Sequence, residues 1–171
     1  MIDVRESTDK LKILIVDDSE LNRELLAGML GDEYEIYQVE NGKKAIDILE
    51  ENREQFKLVL LDINMPVMDG LEFSEKLLEK YPKCKVVIVT GFREFEYARK
   101  AIKLGVEEFL LKPINIKELA EVMNKLKNKL AKIKEEASKV AKLKESVEKN
   151  YDILKESLLL RLVEKRIDEE E

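Results

Sequence analysis

A chain of 171 residues with a formal net charge of -6, 44% hydrophobic and 40% charged, is long enough for one well-buried domain and an appendage. The acidic balance argues against direct nucleic-acid binding, which needs clustered Lys and Arg on one surface. There is no His and one Cys, Cys84, so Ser-His and Cys-His triads, imidazole metal sites, a phosphohistidine carrier, disulfides within the chain and cysteine metal clusters are all excluded.

The N-terminal tail, 1–10, reads MIDVRESTDK, too polar for a signal peptide, and no apolar run reaches the ~18 residues of a membrane span. A soluble cytoplasmic protein with no membrane partner is expected. From Leu11 onward, short β-branched runs alternate with amphipathic segments. The runs LKILIV, YEIYQV, KLVLL, KVVIV and EEFLL have strand length. Between them lie ELNRELLAGML, KKAIDILEEN, LEFSEKLLEKY and EFEYARKAIKLG, with apolar residues at helical spacing, such as Leu21, Leu25, Leu26 and Met29, or Ala98, Ala101 and Ile102. Five such strands separated by helices predict an α/β fold: a doubly wound, five-stranded parallel sheet covered on both faces. Cys84 reads as a small, semi-buried residue near a strand start.

After Pro113 the chain changes character. Asn115 is placed to cap a helix, with Glu118 three positions on, and from Ile114 to Glu171 there is neither Gly nor Pro. Every seventh residue gives Leu119, Leu126, Ile133, Val140, Val147 and Leu154, and an interleaved set gives Met123, Leu130, Ala137, Lys144, Tyr151 and Leu158. This is a heptad seam, and it predicts a long C-terminal helix over 126–171, continuous with a folded domain over 11–125, that pairs as a homodimeric coiled coil. A helix folded back on its own domain is the competing reading. Past Leu158 the run LLLRLVEKRI leaves the heptad, so the coil is expected to end or splay there.

The polar residues at the strand ends are the candidate site. Strand one ends in Asp17 and Asp18, strand three in Asp62, strand four in Thr90 and strand five in Lys112. In an open parallel sheet of order 2-1-3-4-5, strands one and three flank the point where strand order reverses, and ligands bind outside the carboxyl ends there. Three carboxylates at that point repel unless a cation joins them or one is protonated. Mg²⁺ suits them, because it takes oxygen ligands and keeps waters that a phosphate can replace. Lys112 then offers a point charge to a phosphoryl oxygen and Thr90 a hydroxyl. Singly, each residue has a plainer explanation: an acidic pair after a strand is often a helix N-cap.

The stretches ILIVDDS, LLDINMPVMDG, VVIVTG and FLLKPI, in this order and spacing from Leu11 to Lys125, resemble the receiver domain of two-component response regulators, which has a flavodoxin-like fold. The resemblance implies that Asp62 is the phosphoacceptor, taking a phosphoryl group from a sensor histidine kinase. It implies Mg²⁺ held by Asp18, Asp62 and the main-chain carbonyl of Asn64, with Asp17 acting mostly through a water. Thr90 and Lys112 match the family's phosphoryl-binding hydroxyl and lysine, and Lys112-Pro113 its usually cis peptide. Thr90 and Phe109 stand at the family's switch positions, and Phe109 lacks the hydroxyl of the commonly found Tyr. The stretch TGFREFEYARKAIKLGVEEFLLKPI is also similar to regulators whose receiver precedes an AraC-type helix-turn-helix domain. Such an output would lie outside this chain, leaving two alternatives: a piece of a longer regulator, or a regulator whose helical tail is the output.

The expected function is therefore a phosphorelay module and not a metabolic enzyme, catalysing only its own Mg²⁺-dependent phosphorylation and dephosphorylation. A small-molecule phosphatase lacks a general acid and any G-x-x-x-x-G-K-[ST] loop here. A phosphorylation-silent dimerisation module is the other reading.

Overall fold

The computed structural model describes residues 10–52, 55–65, 69–91 and 95–168. The predicted tail over 1–10 falls almost wholly outside them. The elements follow in the order β1 (Lys12–Val16), α1 (Glu20–Leu30), β2 (Glu35–Val39), α2 (Gly42–Glu51), β3 (Phe56–Asp62), α3 (Gly70–Lys80), β4 (Lys85–Thr90), α4 (Phe95–Leu104), β5 (Glu108–Leu111) and α5 (Ile116–Asp168). The sheet is five-stranded and parallel throughout, with order β2-β1-β3-β4-β5. This is the doubly wound sheet that the strand pattern predicts and the flavodoxin-like fold that the resemblance implies.

Burial along the strands explains their composition. β1, β3 and β4 are inner strands with helices over both faces, so Ile13 to Val16, Leu58 to Leu61 and Val86 to Val89 are at most 1% exposed. The edge strands β2 and β5 are only half-buried, and β2, EIYQV, is correspondingly more polar. Burial pushes the Cys84 thiol up to about 12, so it stays a neutral, buried apolar group.

Two helical stripes depart from the sequence reading. In α1 the buried face is Leu26 and Leu30, four residues apart, whereas Leu21 and Leu25 stand 66% and 52% exposed. In α4, Ala101 is buried and Ile102 is 47% exposed. In each helix the buried stripe is the one that meets the sheet, and apolar residues off that stripe remain in water.

Asn115 does cap α5: its Oδ1 accepts from the backbone N–H of Lys117 at 2.8 Å. The helix runs from Ile116 to Asp168. Two compact units divide the chain, Met1–Val122 and Met123–Glu171, with α5 contributing to both. Within the single chain the first seam positions, Leu119, Met123 and Leu126, are buried, so the free seam begins only after them. Among the described residues, no helix is long and apolar enough to cross a membrane.

Candidate phosphoryl-accepting site

The register of the sheet brings the strand ends together. β1 and β3 are neighbours, Val16 lying beside Leu61, so the residues that follow, Asp17 and Asp62, come out at the same edge. β4 lies on the other side of β3, with Asp62 beside Val89, and its last residue, Thr90, pairs with Leu111 of β5, one position before Lys112.

Asp17 is buried at 1% exposure and held at both ends. Its Oδ1 accepts from the Ser19 N–H at 2.8 Å, and its carbonyl oxygen accepts from Arg23 Nη1 at 2.6 Å. The plain alternative for the acidic pair fails here: the N-cap of α1 is Ser19, whose Oγ accepts from the Asn22 N–H at 3.4 Å. Asp17 and Asp18 are thus released from capping duty. The Asp17, Asp18 and Asp62 carboxylates each offer an oxygen, and these oxygens lie within 4.8 Å of one another.

Lys112 reaches into this cluster from the end of β5. Its Nζ donates to Asp17 Oδ2 and to Asp62 Oδ2, both at 3.3 Å. Burial works to lower its pKa, but the Asp62 and Asp17 carboxylates outweigh that and hold the ammonium above its usual value. Asp62 is 5% exposed, and its Oδ1 accepts from the Asn64 N–H at 3.2 Å. Burial lifts its pKa; the Lys112 charge opposes the lift and the Asp17 charge adds to it. Among the described residues one bonded ammonium is therefore shared within a three-carboxylate cluster, and the balance stays negative. An oxygen-only donor set with excess negative charge fits Mg²⁺.

Around Asp62 the site opens into a cleft of about 290 Å³ lined by Asp18, Asn22, Asp62, Asn64, Gly91 and Lys112. Thr90, the last residue of β4, is fully buried, its hydroxyl donating to the carbonyl of Gly91, which lines the cleft, at 3.3 Å. Phe109 is set apart: it is partly buried in β5, beside Ile88, and packs on the core. The Lys112-Pro113 peptide is cis.

Four residues here have roles that the sequence does not assign, although Ser19 and Gly70 close the stretches ILIVDDS and LLDINMPVMDG. Ser19, Asn22 and Arg23 follow the acidic pair and were legible only as helix start. Gly70 is the fourth. The N–H of Gly70 donates to the Ile63 carbonyl at 3.1 Å, and a Cβ there would sit 2.6 Å from Ile63 Cα and 2.7 Å from the Asp62 carbonyl oxygen. Only glycine lets the start of α3 press so closely against the end of β3.

Residues 13–124 match the family model described as the response regulator receiver domain. The chain belongs to that family. Among curated relatives of this receiver, the protein named uncharacterized transcriptional regulatory protein YesN, from Bacillus subtilis strain 168, is 36% identical over 126 residues, covering 68% of this chain and 33% of its own length. The chemotaxis protein CheY of Halobacterium salinarum is 35% identical over 103 residues, 60% of this chain and 84% of that protein. Of the solved structures, the REC domain of AraT, a response regulator from Geobacillus stearothermophilus, superposes with a TM-score of 0.66 at 35% identity, covering 71% of this chain and 96% of that one. The receiver matches 33% and 32% of the length of the first two curated relatives, so it corresponds to about a third of each.

Proposed function

We propose that Asp62 accepts a phosphoryl group from the phosphohistidine of a sensor histidine kinase, and that the modified receiver signals through a coiled-coil homodimer formed by α5. One observation carries the first half: a buried carboxylate opening onto a cleft, with the Lys112 ammonium 3.3 Å from it and from Asp17. Phosphoryl transfer needs in-line placement and neutralisation of oxygen charge more than it needs a general base, which suits a chain without His.

An Asp62 oxygen attacks phosphorus. The O–P bond forms as the N–P bond to the kinase imidazole breaks, and the electron pair leaves on that nitrogen, which takes a proton from solvent. The Asn64 N–H and the Lys112 ammonium fix the orientation of the carboxylate. Lys112 then pairs with a phosphoryl oxygen, and the Thr90 hydroxyl turns from the Gly91 carbonyl to donate to another. Asp17, Asp18, Asp62 and the main-chain carbonyl of Asn64 are the groups that would hold Mg²⁺, which when bound supplies positive charge to the phosphoryl oxygens. Thr90 and Phe109 are the proposed switch pair: Phe109, partly buried in β5 against the core and without a hydroxyl, follows the movement of Thr90.

The second half rests on α5. Ile133, Val140, Val147 and Leu154, at seven-residue spacing, are 47% to 63% exposed in the single chain, and such a seam calls for a partner helix.

Incubation with acetyl phosphate and Mg²⁺ is the test. Intact mass should show one phosphoryl adduct on the wild type and none on Asp62→Ala, with formation on Lys112→Ala slowed on the order of 10²-fold or more. Equal adduct on Asp62→Ala would place the acceptor elsewhere.

A further inference from the structure

Two stretches of α5 expose different things. The seam sets Ala137, Lys144, Tyr151 and Leu158 at heptad position a and Ile133, Val140, Val147 and Leu154 at position d. Between Asn128 and Lys149 the outward positions b, c and f carry only Asn, Lys, Glu, Ser and one Ala. Beyond Tyr151 four of the six such positions turn apolar, Asp152 and Glu156 being the charged two: Ile153 at c, Leu159 at b, Leu160 at c and Val163 at f are 63%, 53%, 64% and 56% exposed. The inner seam meanwhile fails, because the position d after Leu158 is Arg161.

A two-stranded coil covers positions a and d and part of e and g. It therefore leaves this outer row in water. A helix apolar around most of its circumference is stable in water only when covered on more than one side. We infer that Ile153, Leu159, Leu160 and Val163 form a second self-association seam, through which two coiled-coil dimers join by their distal segments as a four-helix assembly. The inference rests on the dimer reading given above.

Charge selects a second copy as the occupant. From Tyr151 to Val163 the charged residues are Asp152, Lys155, Glu156 and Arg161, two of each sign, so copies meet without net repulsion. In an antiparallel overlap centred between Leu158 and Leu159, Glu156 of one helix comes level with Arg161 of the other, whereas a parallel overlap sets like beside like. The stretch Lys125–Lys144 offers no such balance, with eight Lys against Glu135 and Glu136, and it repels a copy laid on its outer face.

Native mass spectrometry of the full chain, with sedimentation velocity at micromolar concentration, tests the inference. The wild type should be a tetramer. Leu160→Lys/Val163→Lys, which leaves positions a and d untouched, should be a dimer, a twofold drop in mass with helix content retained by circular dichroism. Should the lysines cost helix content, Leu160→Ala/Val163→Ala reads the same seam with better helix formers than the residues replaced. Val140→Asp should shed the inner seam. A wild type that is dimeric, or a tetramer that survives both double variants, overturns the second seam and leaves the dimer standing. A monomeric wild type overturns the dimer reading and this inference with it.

Discussion

Asp62 is placed where its ionised form is least welcome: 5% exposed, beside Asp17, with one ammonium for relief. Its folded pKa lies above the usual carboxylate value, so its contribution to stability is fully present below that value and is lost as pH rises through the folded one. At neutral pH without divalent cations, Asp62 opposes folding. Asp62→Asn is therefore expected to raise Tm by a few degrees at pH 7, a gain that disappears in acid, where the wild-type carboxyl is already protonated. Mg²⁺ should reverse the ranking, because a cation that binds only the folded wild type stabilises it by mass action. Differential scanning calorimetry with EDTA and with Mg²⁺ measures both. A less stable Asp62→Asn at pH 7 in EDTA would mean that Lys112 overcompensates the burial.

At the scale of elements, the site depends on how closely α3 meets β3. Gly70→Ala puts a methyl within 2.7 Å of backbone atoms that cannot retreat without moving Asp62, and overpacking of this kind costs about 1–3 kcal/mol. Urea unfolding should show that loss together with weaker Mg²⁺ binding; a neutral substitution would mean that the junction is plastic. This contact also marks the limit of what sequence reveals. Strands, helices and their order were legible because inner strands are nearly all apolar and helices alternate faces, and Asp17, Asp18, Asp62, Thr90 and Lys112 were legible because each ends or follows a strand. Gly70 was legible only as the last residue of LLDINMPVMDG and not in its role, because that role is set by a close backbone approach and a glycine at a helix start has many uses. Nor was the exposure of Leu21 and Leu25: helical periodicity gives the rows of a helix but not which row meets the sheet. The seam was legible as a repeat from Leu119, yet burial of Leu119, Met123 and Leu126 in the single chain leaves only the later heptads free, a distinction made by packing and not by pattern.

For the whole molecule, α5 is the one element that belongs to both compact units, running without interruption from Ile116 to Asp168. Coupling through it is reciprocal: if phosphorylation alters pairing of the helices, pairing must alter the phosphorylation equilibrium by the same factor. Acetyl phosphate is expected to change the self-association constant by at least about 5-fold in sedimentation equilibrium, and an unchanged constant would separate the receiver from its helix. In the proposed pair, Lys144 inside the seam would lower stability and keep the association within reach of such a shift. The claim beneath all of this is that Asp62 carries the phosphoryl group. Borohydride reduction of the phosphorylated chain, followed by peptide mapping, tests it most directly, since an acyl phosphate on an aspartate is reduced to homoserine. Homoserine at position 62 alone is the predicted result. An intact Asp62 with the label on another residue would contradict it.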